Sequence, residues 1–116
     1  MRGFVLALLL CACERVGEPR VATGGDAVRG KHVIERTGCG ACHRIPGMRR
    51  AIGVVGPPLD SFARRSFIAG RLPNNPKNLV QWLRDPPAVD SRTAMPRLDL
   101  DDQQARDVAA YLYTLD

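Results

Sequence analysis

Cys39 and Cys42 stand three positions apart, and His43 follows at once, in the stretch GCGACHRIPG that begins at Gly38. Three kinds of chemistry use two thiols and an imidazole at this spacing. A dithiol can cycle with a disulfide, a thiol pair can form one corner of a zinc site, and two thiols can add across the adjacent vinyl groups of one haem. In the last case the next residue hangs over the iron and can bind it as imidazole. Zinc needs two further ligands, and His32 is the only other histidine. The remaining cysteines, Cys11 and Cys13, lie far off in an apolar N-terminus. A thioredoxin-like pair follows a strand, and no strand is visible before this one. Haem attachment is the reading these residues favour, with zinc and dithiol chemistry as the alternatives.

An iron held by His43 has a sixth position to fill. Left open, it suits a haem-based sensor or a small peroxidase. Filled by a thioether, it suits electron transfer at a raised potential. Met48 is only five residues from His43, too near along the chain to reach the opposite haem face easily. Met95 is 52 residues beyond His43, in the irregular stretch RTAMPRL, where Pro96 disfavours helix. Met95 is therefore the expected distal ligand.

The elements that position these residues read as all-α. Asp26 is a candidate N-cap for a helix whose apolar face carries Ala27, Gly30, Val33, Ile34 and Thr37, with Gly38 as its stop. This helix leads straight into Cys39. The segment from Arg44 to Pro58 is a loop rich in glycine and proline. LDSFARRSFIAG has room for one or two helical turns, and PKNLVQWLRDPP reads as a short helix bounded by prolines. The clearest helix is the last, with Asp99 or Asp101 as cap and Ala105, Val108, Leu112 and Leu115 along one face. Loops this long need an organising centre, which a cofactor supplies.

The chain has 116 residues, room for one small domain, and only 5% aromatics. So small a core commonly depends on a staple, metal or cofactor. Residues 1–12 read as an export signal: Arg2, then an apolar run from Phe4 to Ala12, far shorter than the roughly 20 residues that span a bilayer. LCAC at Leu10 to Cys13 resembles a lipobox, which implies cleavage before Cys13 and lipid on its thiol. Residues 13–25 are then a flexible tether, and the domain occupies 26–116. Export implies an oxidising compartment, where unclaimed thiols pair.

The formal net charge is +5, unevenly spread. Between Arg29 and Lys77 ten basic residues face only Glu35 and Asp60, whereas acidic residues prevail from Asn78 onward. No aromatics interleave with the arginines, so nucleic-acid binding is not expected.

With these motifs the chain resembles a class I c-type cytochrome from about residue 26 to 115. The likeness rests on Cys39 to His43, GPPL at Gly56 to Leu59, TAMP around Met95, and a terminal helix with Tyr111. It is especially similar to the cytochrome c domain fused to subunit II of some haem-copper oxidases. Here no copper-binding or two-helix membrane portion precedes the domain, so a freestanding carrier is expected. The resemblance implies one covalent haem c, thioethers at Cys39 and Cys42, and axial ligands His43 and Met95. It places the Pro57 carbonyl on the other imidazole N–H, and sets Gly56, Leu59 and Trp82 in the haem pocket, with Trp82 directed to a propionate. Gly30 and Ile34 would pack on Val108 and Tyr111 where the terminal helices cross. The function implied is one-electron transfer in a bacterial periplasm, by a monomer lipid-anchored through Cys13, with a haem-copper oxidase or other membrane respiratory complex as partner and no catalytic residue. The lysines that often ring the haem edge in this class are reduced here to Lys31 and Lys77.

Overall fold

A computed structural model describes residues 15–116. Cys13 and the rest of the expected signal lie outside the described residues. Four helices make the frame: α1 (Ala27–Thr37), α2 (Pro76–Arg84), the single turn α3 (Pro86–Val89) and α4 (Asp102–Leu112). Short 3-10 turns at Cys39–Ala41 and Phe62–Arg64 lie between them. A two-residue antiparallel pair, β1 (Phe67–Ile68) with β2 (Leu72–Pro73), also lies there, too short to show any alternation in sequence.

Each helix starts where its sequence satisfies the orphan amides of a first turn. Asp26 accepts from the Arg29 N–H at 2.8 Å and Asn75 from the Asn78 N–H at 2.9 Å. Of the two candidate caps for α4, Asp101 is the one used. It forms a reciprocal box with Gln104, at 2.7 and 3.0 Å. Helix α1 stops at Gly38, which takes the left-handed conformation (φ 79°) and donates its N–H to the Ile34 carbonyl.

Helix α4 is the centre of the fold. Apart from Arg106, it is buried from Ala105 to Leu112 on every side rather than along one face. Helix α1 crosses it so closely that a Cβ on Gly30 would lie 1.9 Å from the Asp107 carbonyl oxygen. Asp107, itself 4% exposed, bolts the crossing. Its carboxylate accepts from the Asp26 N–H at 2.8 Å, from Arg29 Nε at 3.1 Å and from Gln103 Nε2 at 3.0 Å. Burial alone would raise the Asp107 carboxyl, but these hydrogen bonds and the Arg29 charge hold it below its ordinary value.

The segment expected as a tether is partly laid along α4. The Arg20 N–H donates to the Tyr113 carbonyl at 2.9 Å, and Thr23 Oγ1 to the Arg106 carbonyl at 2.9 Å. Asp116 is held by both Arg20 and Arg64, each at 2.8 Å. Leu115 lies beyond the end of α4 but is buried, and its carbonyl accepts from the Ala63 N–H at 2.9 Å. Helix α2 completes the core with Leu79, Val80, Trp82 and Leu83.

Candidate haem-attachment site

The left-handed turn at Gly38 ends α1 and starts the 3-10 turn that gathers the chemistry. The amides of Cys42 and His43 both donate to the Cys39 carbonyl, at 3.2 and 3.0 Å. Both thiols are free and partly exposed. Burial pushes the Cys39 thiol up, against the pull of its own backbone hydrogen bond, and the neighbouring Cys42 adds to the rise. A dithiol catalyst needs the opposite shift. Zinc fares no better, since no cluster of three or more His, Cys, Asp or Glu side chains among the described residues could hold a metal ion.

A second layer of chain backs this turn. The Gly53 N–H donates to the Gly40 carbonyl at 3.0 Å, Gly56 to the Cys42 carbonyl at 2.7 Å, and Leu59 to the Arg44 carbonyl at 2.9 Å. The two layers touch through glycines. A Cβ on Gly53 would meet the Ala41 carbonyl carbon at 2.5 Å, and one on Gly40 the Ala51 Cα at 2.7 Å. Composition marked this stretch as loop, but the need for those two glycines is visible only in three dimensions.

The same layer fixes the imidazole. His43 Nδ1–H donates to the Pro57 carbonyl at 2.7 Å, which leaves Nε2 as the nitrogen with a free lone pair. Gly56 lies against the ring face, where a Cβ would stand 2.4 Å from His43 Cε1. The structure thus brings together Cys39, Cys42 and His43, as their spacing implied, with Gly56 and Pro57, as the resemblance implied.

The remaining sequence-derived residues share one apolar cluster. Trp82 is buried in it, and Cys39, Leu59 and Met95 pack against it, as does Met48. The Trp82 indole finds no acceptor among the described residues, so its N–H is available to a carboxylate. Met95 is half-buried in a loop, its N–H donating to Thr93 Oγ1 at 3.1 Å. Two ion pairs that sequence reasoning did not find clamp this loop, Arg71–Asp90 at 3.3 Å and Arg97–Asp85 at 3.6 Å. Nothing in the spacing of these residues signals them.

The donor set fits a haem. Two unpaired thiols lie on one turn, an imidazole beside them has a free Nε2, and a thioether and an unpartnered indole N–H sit on the adjoining core.

Residues 27–116 match a family model described as Cytochrome c. The chain is 36% identical over 90 residues to a cytochrome c oxidase subunit 2 from Alkalihalophilus pseudofirmus, covering 77% of this chain and 25% of that protein. It is also 36% identical over 75 residues to a cytochrome c oxidase subunit 2 from Bacillus sp. PS3, covering 60% of this chain and 20% of that one. A nitric oxide reductase subunit from Paracoccus denitrificans is 29% identical over 88 residues, covering 75% of this chain and 57% of the relative. The chain therefore spans between a fifth and somewhat over half the length of these relatives. With a family model matching residues 27–116, this chain belongs to the cytochrome c family, a class I member whose cofactor is a covalently bound haem c.

Proposed function

We propose that the chain is a one-electron carrier of a bacterial periplasm, with its haem joined to Cys39 and Cys42 and its iron ligated by His43 and Met95. The observation that carries the reading is the 2.7 Å bond from His43 Nδ1–H to the Pro57 carbonyl. That bond holds one tautomer and one ring orientation, and it raises the basicity of Nε2 toward a metal. The haem supplies the one-electron couple, and the protein supplies orientation, ligand choice and a shell of low polarity.

Each residue has a defined task in this reading. Gly56 lets the chain lie flat on the imidazole, and Leu59 fills the core beside it. Trp82 would donate its indole N–H to a haem propionate. The ion pairs at Asp85 and Asp90 restrain the loop that carries Met95, whose thioether would be the second protein ligand to the iron and would favour a raised potential. No residue acts as a catalyst on a substrate, and the protein works as a monomer.

The relatives named as subunits of cytochrome c oxidase and nitric oxide reductase support a membrane respiratory complex as redox partner, a haem-copper oxidase foremost. Among the described residues no helix is long and apolar enough to cross a membrane. Lipid on Cys13 would supply the membrane attachment in the periplasm.

Replacing Met95 with alanine tests the reading. The variant is expected to lose the six-coordinate low-spin state, to bind carbon monoxide readily when reduced, and to show a large fall in potential. An unchanged spectrum and potential would remove Met95 from the site. Ready carbon monoxide binding by the unmodified reduced protein at neutral pH would overturn the carrier reading in favour of a sensor or peroxidase.

A further inference from the structure

The strap that precedes α1 follows α4 toward that helix's C-terminal end. The Asp26 N–H donates to Asp107, Thr23 Oγ1 to the Arg106 carbonyl, and the Arg20 N–H to the Tyr113 carbonyl. Farther on, a Cβ on Gly17 would lie 3.7 Å from Thr114 Cβ, in ordinary contact. Arg15 and Val16 line one cleft with Pro46, Tyr111 and Thr114. The chain therefore enters the described domain at one defined place. Cys13 is two residues before Arg15, so their Cα atoms are no more than about 7 Å apart. A coil left free from Cys13 to Asp26 would instead span about 20 Å, with no fixed direction.

Charge singles out the same end of the molecule. Arg15, Lys31 and Arg44 border the cleft, and Arg20 and Arg64 both bond Asp116 at its edge. The carboxylates there are Asp60 and Asp116, so cations prevail. The cleft at the other end of α4, beside Asp101 and Asp102, carries as many carboxylates as cations.

From this placement we infer that the C-terminal end of α4, with Arg15, Lys31 and Arg44 around it, is a surface for anionic phospholipid headgroups, held to the bilayer by the strap and by lipid on Cys13. The inference rests on the reading of Cys13 as lipidated. Cationic side chains beside a lipid anchor add electrostatic attraction to the hydrophobic attachment. A second copy of this chain would bring like charges together. An acidic protein would suit the charge, but the bilayer is what the chain itself brings to this cleft. Pro46 and Gly47 border the cleft too, so the loop that follows His43 is carried beside the membrane.

The probe is a lipid nanodisc of phosphatidylcholine and phosphatidylglycerol with a spin-labelled headgroup, carrying the exported full-chain holoprotein in its reduced form. Paramagnetic broadening falls steeply with distance, and the ends of α4 are about 15 Å apart. The label is expected to broaden the amide signals of Gly17, Gly47 and Thr114 at least about tenfold more than those of Asp102 and Gln103. Discs of phosphatidylcholine alone, or Arg15→Gln with Lys31→Gln on the mixed discs, are expected to weaken that contrast at least about twofold, with the haem spectrum unchanged. A flexible Gly/Ser insertion of about 12 residues between Cys13 and Glu14 is expected to weaken it likewise. Equal broadening at both ends, or stronger broadening at Asp102, overturns the proposal. So does a contrast that neither the lipid charge, the two substitutions nor the insertion alters. Broadening of the same signals without discs, rising with protein concentration, would assign the surface to a second copy and also overturns it. A mature chain whose mass shows no diacylglycerol on Cys13 overturns it through the anchor reading, which the mass reports before any disc is made. The visible spectrum reports the carrier reading separately.

Discussion

Gly30→Ala separates local from tertiary control of this fold, because the two predict opposite signs. In an isolated helix, alanine in place of a mid-helix glycine stabilises by about 1 kcal/mol. In this structure the new Cβ would stand 1.9 Å from the Asp107 carbonyl oxygen and 2.5 Å from its carbon. Both atoms are backbone of the buried central helix, so neither yields by a rotamer change. Ordinary contact begins near 3.4 Å, so α1 must move off α4 by about 1.5 Å. Overpacking of this kind costs about 1–3 kcal/mol. The shift also stretches the bonds from Asp26 and Arg29 to Asp107, and charge-assisted bonds contribute about 1.5–3 kcal/mol each. Set against the propensity gain, the net destabilisation is about 2 kcal/mol or more. With a guanidinium m-value of about 3 kcal/mol/M, the unfolding midpoint of the ferric holoprotein falls by roughly 0.7 M. The fluorescence of Trp82, released from haem quenching on unfolding, reports it. A midpoint equal to or above that of the native protein would show that the helices do not approach as described.

Three further outcomes follow from the same contacts. Gly56→Ala drives a methyl into the His43 ring, which is 2.4 Å from the Cβ position, so the yield of holoprotein falls and the ligand-field spectrum of the remainder shifts. Asp107→Asn alters the acid limb of stability. The Asp107 carboxyl titrates below its ordinary 3.8 when folded, so its contribution is present above that value and lost as pH falls through the lower folded one. The stability gap between native and variant is therefore widest above about pH 4 and narrows in stronger acid, as urea melts at several pH values will show. Tyr113 governs the alkaline limb. Burial raises its phenol from 10 to about 12, so stability present below pH 10 is lost as pH rises toward 12. Tyr113→Phe loses the bond to Asn74 Oδ1, about 1 kcal/mol, and with it this part of the alkaline decline.

Much of the site is written locally. Asp26, Gly38 and Asp101 act through their own first or last turns, so caps and stops could be read one helix at a time. The attachment motif is likewise contiguous from Cys39 to His43, and Gly30 betrays itself as a costly residue in mid-helix. The resemblance to c-type cytochromes supplied Pro57, whose carbonyl does meet His43 from 14 positions along the chain. Contacts set by the packing of remote segments left no such trace. Asp107 looks like one more surface acid of α4 until the Asp26 amide and Arg29 are seen to converge on it. The polar composition of residues 13–25 suggested a flexible tether, yet Arg20 bonds the Tyr113 carbonyl and Asp116 just beyond α4, Thr23 bonds the Arg106 carbonyl, and Gly25 packs so close to Arg106 that a Cβ would not fit. Helix α4 itself looked one-sided, since this strap covers a face that its own sequence does not mark as apolar.

A covalent haem with one imidazole and one thioether ligand has a distinctive optical signature. The visible spectrum of the exported full chain, oxidised and reduced, followed by acid-acetone extraction, reads covalency and ligation together. The haem is expected to stay with the protein, with a low-spin spectrum in both states and the weak far-red band of thioether-ligated ferric iron. Haem that extracts into acetone, or a high-spin spectrum in the native protein, would contradict it.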